Sequence, residues 1–133
     1  MKVELPLGDV IDKISILQIK SERISDPKKL QNIKKELTVL RNAWKQTSHP
    51  DVGQLPEWSN LLDVNGKLWD VEDELRRLEA LQNFGADFIT KARSVYFLND
   101  NRAQLKKSIN ISLGSTLVEE KSYTNYGSGE GIQ

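Results

Sequence analysis

The chain has 133 residues, 38% hydrophobic and 29% charged, a balance that suits one soluble domain with a core of its own and leaves little for a second. Lysine plus arginine and aspartate plus glutamate both number 19, so a nucleic-acid binder working through a bulk basic surface is excluded, and any electrostatic function is local. Cysteine is absent, which removes disulfide and thiolate chemistry and fits a reducing compartment. No basic-plus-apolar leader follows Met1, and no apolar run approaches the roughly 20 residues that span a bilayer. The expectation is a cytoplasmic protein with no membrane span and no nucleic-acid partner.

In chain order, a short lead-in over residues 1–6 gives way to a first helix over 7–24, with Leu7, Val10, Ile11, Ile14 and Leu17 at helical spacing. Asp26 followed by Pro27 marks the start of a second helix. The aspartate can cap, and proline suits a first helical position where no N–H is needed. That helix runs to about residue 46, and residues 47–55, with His49-Pro50 and Gly53, form a loop. A third helix covers 56–83 with Gly85 as its C-terminal stop, and a fourth covers 86–111 and ends at Gly114. Thr116 and Glu119 have capping-box spacing, so one more short helical turn is predicted. Residues 126–133 are rich in Gly and Ser and read as a flexible tail, leaving 1–125 as the domain. The predicted fold is all-α, an antiparallel bundle of four long helices with a short C-terminal helical turn.

The third helix carries an anomaly. Asn65, Glu72 and Arg76 fall on one stripe in the middle of the arc formed by Trp58, Leu61, Leu62, Val64, Leu68, Trp69, Val71, Leu75 and Leu78. The fourth helix repeats it: the arc of Phe88, Ile89, Ala92, Val95 and Tyr96 continues as Asn99, Ala103, Lys106 and Asn110, with Arg102 at its edge. On the first helix, Asp9, Lys13 and Lys20 form a milder strip beside the main apolar face. Inward cations (Lys13, Lys20, Arg76, Arg102, Lys106) thus outnumber inward carboxylates (Glu72, Asp9). Buried cations need an anion, water or further carboxylates to offset them. A pocket for an anionic small molecule, bearing phosphate or carboxylate, is predicted among Lys13, Asn65, Glu72, Arg76, Asn99, Arg102, Lys106 and Asn110. Beside it stands a plainer reading, a structural polar network in which Glu72 and Arg76 pair and lysines reach water.

Other chemistry is weaker. Asp70, Asp73 and Glu74 lie on different sides of the helix from Glu72 and read as a solvated face, not a cation site. His49 is the single histidine and sits in a loop, so neither a histidine metal centre nor Ser-His catalysis is supported; no metal and no cofactor are predicted. Gly127, Gly129 and Gly131 precede no helix and form no phosphate loop. Trp58 and Trp69 are expected in the core, and Trp44, near Lys34, Lys35, Arg41 and Lys45, as a candidate interface anchor or a helix end packed on its neighbour.

Several stretches carry a resemblance: residues 11–20 (Ile-Asp-Lys-Ile-Ser-Ile-Leu-Gln-Ile-Lys), Asn65 with Leu68-Trp69-Asp70-Val71-Glu72-Asp73, Ala92-Arg93-Ser94-Val95-Tyr96 with Asn99-Asp100-Asn101-Arg102-Ala103, and Glu119-Glu120-Lys121-Ser122-Tyr123. Over nearly the whole chain except residues 47–57 and the tail, it resembles an uncharacterised family of small helical bacterial and phage proteins. A related helical family of unassigned function is similar over the Asn-x-x-Leu-Trp and Asn-x-x-Arg blocks. Members of both tend to be encoded near glycosyltransferases of surface-polysaccharide synthesis, so the resemblance implies a polysaccharide-biosynthesis context and no assigned reaction.

Three functions compete. The first is a binding module for an anionic small molecule, such as one related to a sugar nucleotide. The second is a structural or adaptor module whose polar stripe fixes helix register, with Ile16, Ile19 and Trp44 as spare apolar surface for a homodimer. The third is a cofactor-independent all-α enzyme in which Glu72 acts as acid or base beside cationic groups.

Overall fold

A computed structural model describes residues 1–126. It contains four long helices, α1 (Leu7–Arg23), α2 (Pro27–Lys45), α3 (Trp58–Ala80) and α4 (Ala86–Ser112), with a short 3-10 turn at Val52–Gln54 between α2 and α3. No strand occurs among the described residues, and none of their helices is long and apolar enough to cross a membrane. The protein is all-α.

Helix α2 starts where Asp26-Pro27 predicts. The Asp26 carboxylate accepts a hydrogen bond from the Lys29 amide at 2.9 Å, satisfying an N–H that the first turn leaves without a partner. Asp26→Ala is expected to lower stability by about 1 kcal/mol in urea or thermal unfolding. An unchanged midpoint would show that this exposed cap contributes nothing.

Helix α3 ends earlier than the glycine signal suggests. Gln82, not Gly85, takes the left-handed backbone (φ 54°), with Gln82 N–H donating to Glu79 O at 3.0 Å and Asn83 N–H to Leu78 O at 2.9 Å. Gly85 is instead the residue before α4, with ordinary negative φ. At the far end of α4 the same closure recurs on Gly114 (φ 68°), with Ser115 N–H donating to Asn110 O at 2.8 Å.

The predicted C-terminal helical turn does not form: residues 115–126 contain no helix. A capping box needs the Glu119 carboxylate turned back to Thr116, and here it lies against two lysine ammonium groups instead. Most of the predicted tail, residues 127–133, lies outside the described residues; its first residue, Tyr126, is tied to α4 through Asp100.

Helix α1 packs on α2, α3 and α4, and α3 packs on α4. The core gathers Ile11, Ile14, Trp44, Val52, Leu55, Leu61 and Ile109. Trp44 is therefore no free interface anchor; it is buried, its indole donating to Pro50 O at 2.9 Å and its ring stacked on His49. Ile19 is buried as well, so two of the three apolar residues expected as spare surface are covered within the chain. Trp58 and Trp69 sit at its half-buried margin, under the guanidinium groups of Arg41 and Arg23.

Candidate functional site

The inward polar stripe of α1 is Gly8, Asp12 and Ser15, interleaved with Ile11 and Ile19; all five are buried. Asp12, with 5% of its side chain exposed, is the hub. Arg102 of α4 grips it from two nitrogens, Nε donating at 3.0 and 3.1 Å and Nη2 at 2.6 Å. Asn65 of α3 donates to the same carboxylate at 2.9 Å and to Ser15 Oγ at 2.8 Å, while the Ser15 hydroxyl donates to Asp12 O at 2.6 Å. One carboxylate therefore joins three helices, with its charge matched and its lone pairs occupied. The hydrogen bond to Asp12 holds the Arg102 pKa above its ordinary value against the opposing effect of burial.

Beyond Gly114 the chain returns along α4 and forms the second wall of a cleft of about 740 Å³. Arg102, Lys106 and Lys121 supply its cations, Tyr96, Tyr123 and Tyr126 its aromatic lining. Lys106, only 13% exposed at its side chain, reaches Asp9 at 3.0 Å and Glu119 at 3.3 Å; Lys121 reaches the other oxygen of Glu119 at 3.2 Å. Burial works against the Lys106 charge, but Asp9, Asp12 and Glu119 outweigh it and its pKa is raised. Burial likewise works against the Glu119 charge, and Lys121 with Lys106 prevails, leaving that carboxyl below its ordinary range. Tyr126 closes the end of the wall. Its hydroxyl donates to buried Asp100, which pushes the phenol up to about 12, and its ring rests on Tyr96 and Phe97 at 5.5 and 4.9 Å between centroids.

Of the sequence-predicted site residues, Asn65 and Arg102 meet on Asp12, and Lys106 lies four residues along α4 from Arg102. Asn99 and Glu72 do not point into a core: both are exposed, on the rim of a second hollow of about 290 Å³ shared with Asn65, Arg102, Ile16, Ile19, Leu68 and Trp69. Arg76 is exposed and lines neither hollow, and it does not pair with Glu72. The reason is length. Helix α1 ends at Arg23, which meets α3 at Asp70 with a 2.5 Å ion pair, so the outer part of α3 has α4 as its neighbour and a narrower arc to bury. Lys13 turns away from the cleft to Glu36 of α2 at 3.2 Å. Asn110, 2% exposed, is structural: its Oδ1 accepts the Gly8 amide at 2.7 Å, and nearby Ser115 Oγ accepts that of Leu7, so α4's end caps α1's start.

The predicted surplus of buried positive charge is also corrected, because Asp12, Asp9 and Glu119 offset Arg102 and Lys106. Sequence reasoning missed Asp12, Asp100, Glu119, Lys121 and Tyr126. Asp12 was legible: Gly8, Ile11, Asp12, Ser15 and Ile19 follow helical spacing, a stripe hidden when only large apolar residues are counted. The return of the chain along α4 carries no local periodicity to read. Asp70, Asp73 and Glu74 are drawn to Arg23, the Trp69 indole and Arg77 respectively, and among the described residues no group of three or more His, Asp or Glu is gathered for a metal.

Fold and site together define a small all-α protein with a three-helix polar hub, whose Arg102 also lines a cleft walled by the chain's own C-terminal segment. The chain belongs to DUF6165, a family of unknown function, whose profile matches residues 1–130. No match was found among curated proteins or among solved structures.

Proposed function

We propose that the protein is a binding module for an anionic small molecule, phosphate-bearing or carboxylate, seated in the cleft between α4 and the returning segment. The observation that carries this reading is Glu119. A carboxylate already rests between Lys106 and Lys121 at 3.3 and 3.2 Å, and it belongs to an exposed stretch of chain with 37% of its own side chain in solvent. Lys106 is fixed from below by Asp9, so its ammonium faces whatever anion occupies that seat. Glu119 is in effect a tethered placeholder, and a free anion binds by exchanging with it.

A tethered group competes at an effective concentration in the millimolar range, so the placeholder weakens the apparent affinity of any free ligand. Glu119→Gln is therefore expected to tighten inorganic phosphate binding by roughly tenfold in calorimetry, and to enlarge the rise in melting temperature that phosphate gives. Lys121→Ala is expected to weaken it. If phosphate neither binds nor stabilises the wild-type chain or Glu119→Gln, the seat is only an internal ion pair.

A purely structural role has one observation in its favour, the complete pairing of Asp12 by Arg102 and Asn65. That pairing meets the cleft through Arg102 alone and is compatible with a ligand in it.

A further inference from the structure

Across the α4 ridge from the cleft, the 290 Å³ hollow holds polar groups that neither the hub nor the anion seat uses. Glu72 and Asn99 make no hydrogen bond or ion pair with the described residues. Arg102 gives two of its five N–H donors to Asp12, which leaves the other three fixed in direction by that bidentate grip. Apart from Asn65, whose amide is committed to Asp12 and Ser15, the rest of the lining is apolar, from Ile16, Ile19, Leu68 and Trp69.

This set selects against simple ions. Glu72 repels an anion, Arg102 repels a cation, and both stand in a space at the small end of the roughly 300–1,000 Å³ range of ligand sites. A hydroxyl group, by contrast, donates to a carboxylate while accepting from a guanidinium or amide. The C–H face of a saturated ring suits the apolar wall. Asn99 and Arg102 line both hollows, and Arg102 lies one helical turn, about 6 Å, from Lys106.

We infer that the hollow is a second subsite, taking a neutral hydroxylated ring of the same molecule whose anionic group sits between Lys106 and Lys121; this rests on the anion-binding reading of the cleft. Glu72 and Asn99 then determine specificity, and Arg102 spans the two parts of the ligand.

Calorimetry with inorganic phosphate, with the 1-phosphates of glucose, galactose and mannose, and with the matching methyl glycosides tests it. At least one hexose 1-phosphate is expected to bind ten times or more tighter than phosphate. Glu72→Ala, a surface change at a residue that lines the smaller hollow and not the cleft, should erase that gain while moving the phosphate affinity less than twofold. Normal phosphate binding with no gain from any of the three sugars, or a gain indifferent to Glu72, overturns the subsite and leaves the anion seat standing. Silent phosphate with a methyl glycoside still bound through Glu72 removes the anion seat, and the joined ligand with it.

Discussion

Asp12→Ala is expected to destabilise the protein by about 3 kcal/mol, the lower end of the range for breaking a buried ion pair by removing one partner, because Arg102 is only part-buried. The loss has two sources. Arg102 is left as an uncompensated cation at the meeting of three helices, and Asn65 keeps only its hydrogen bond to Ser15. For a chain of this size the melting temperature should fall by roughly 10 °C. Asp12→Asn should cost less, since an amide oxygen can still accept from Asn65. The decisive variant is the double change Asp12→Ala with Arg102→Met. If the cost is chiefly the stranded charge, adding Arg102→Met recovers much of the stability, because an apolar pair of similar bulk is often as stable as a buried ion pair. A double variant as unstable as the two single losses added together would refute the assignment of Asp12 as the hub.

How much of this was legible in the sequence differs by level. Helix existence was readable because strong local signals agree with the tertiary outcome: Asp26-Pro27 starts α2 and Gly114 ends α4. Gly85 misled because a non-glycine, Gln82, accepts the left-handed position one residue beyond the α3 C-cap, so the signal sat three residues late. Inward polar placement was readable for Asn65, Arg102 and Lys106, whose stretches of helix have neighbours on more than one side. It failed for Glu72 and Arg76 because periodicity gives the direction of a face but not which other helix extends far enough to cover it. The charge balance failed for a different reason. Glu119 lies 13 residues from Lys106 on a segment with no regular structure, and its pairing with Lys106 depends on a chain reversal that no spacing rule encodes.

Gly8→Ala carries the second large expected effect, and its sign is the opposite of what helix propensity gives. Alanine is ordinarily favoured over glycine in a helix by up to about 1 kcal/mol. At Gly8, however, a Cβ would lie 2.3 Å from Lys106 O, 2.9 Å from its carbonyl carbon and 3.0 Å from its Cα. All three are backbone atoms, so no rotamer change relieves the clash and α1 must move off α4. That movement pulls on the 2.7 Å bond from the Gly8 amide to Asn110, on the Asp9–Lys106 ion pair and on the grip of Arg102 on Asp12. We expect a net loss of about 2–3 kcal/mol, typical of overpacking against an unyielding neighbour. Phosphate affinity should fall with it, because Lys106 is displaced from beneath the anion seat. Gly53→Ala is the control, since a Cβ there meets nothing within 4 Å; it should leave both stability and phosphate binding near wild type. If Gly8→Ala proves as stable as Gly53→Ala, the close crossing of α1 and α4 is not what sets the depth of the cleft. Should Gly8→Ala lose stability yet bind phosphate normally, the anion seat is held by the returning segment and not by the crossing.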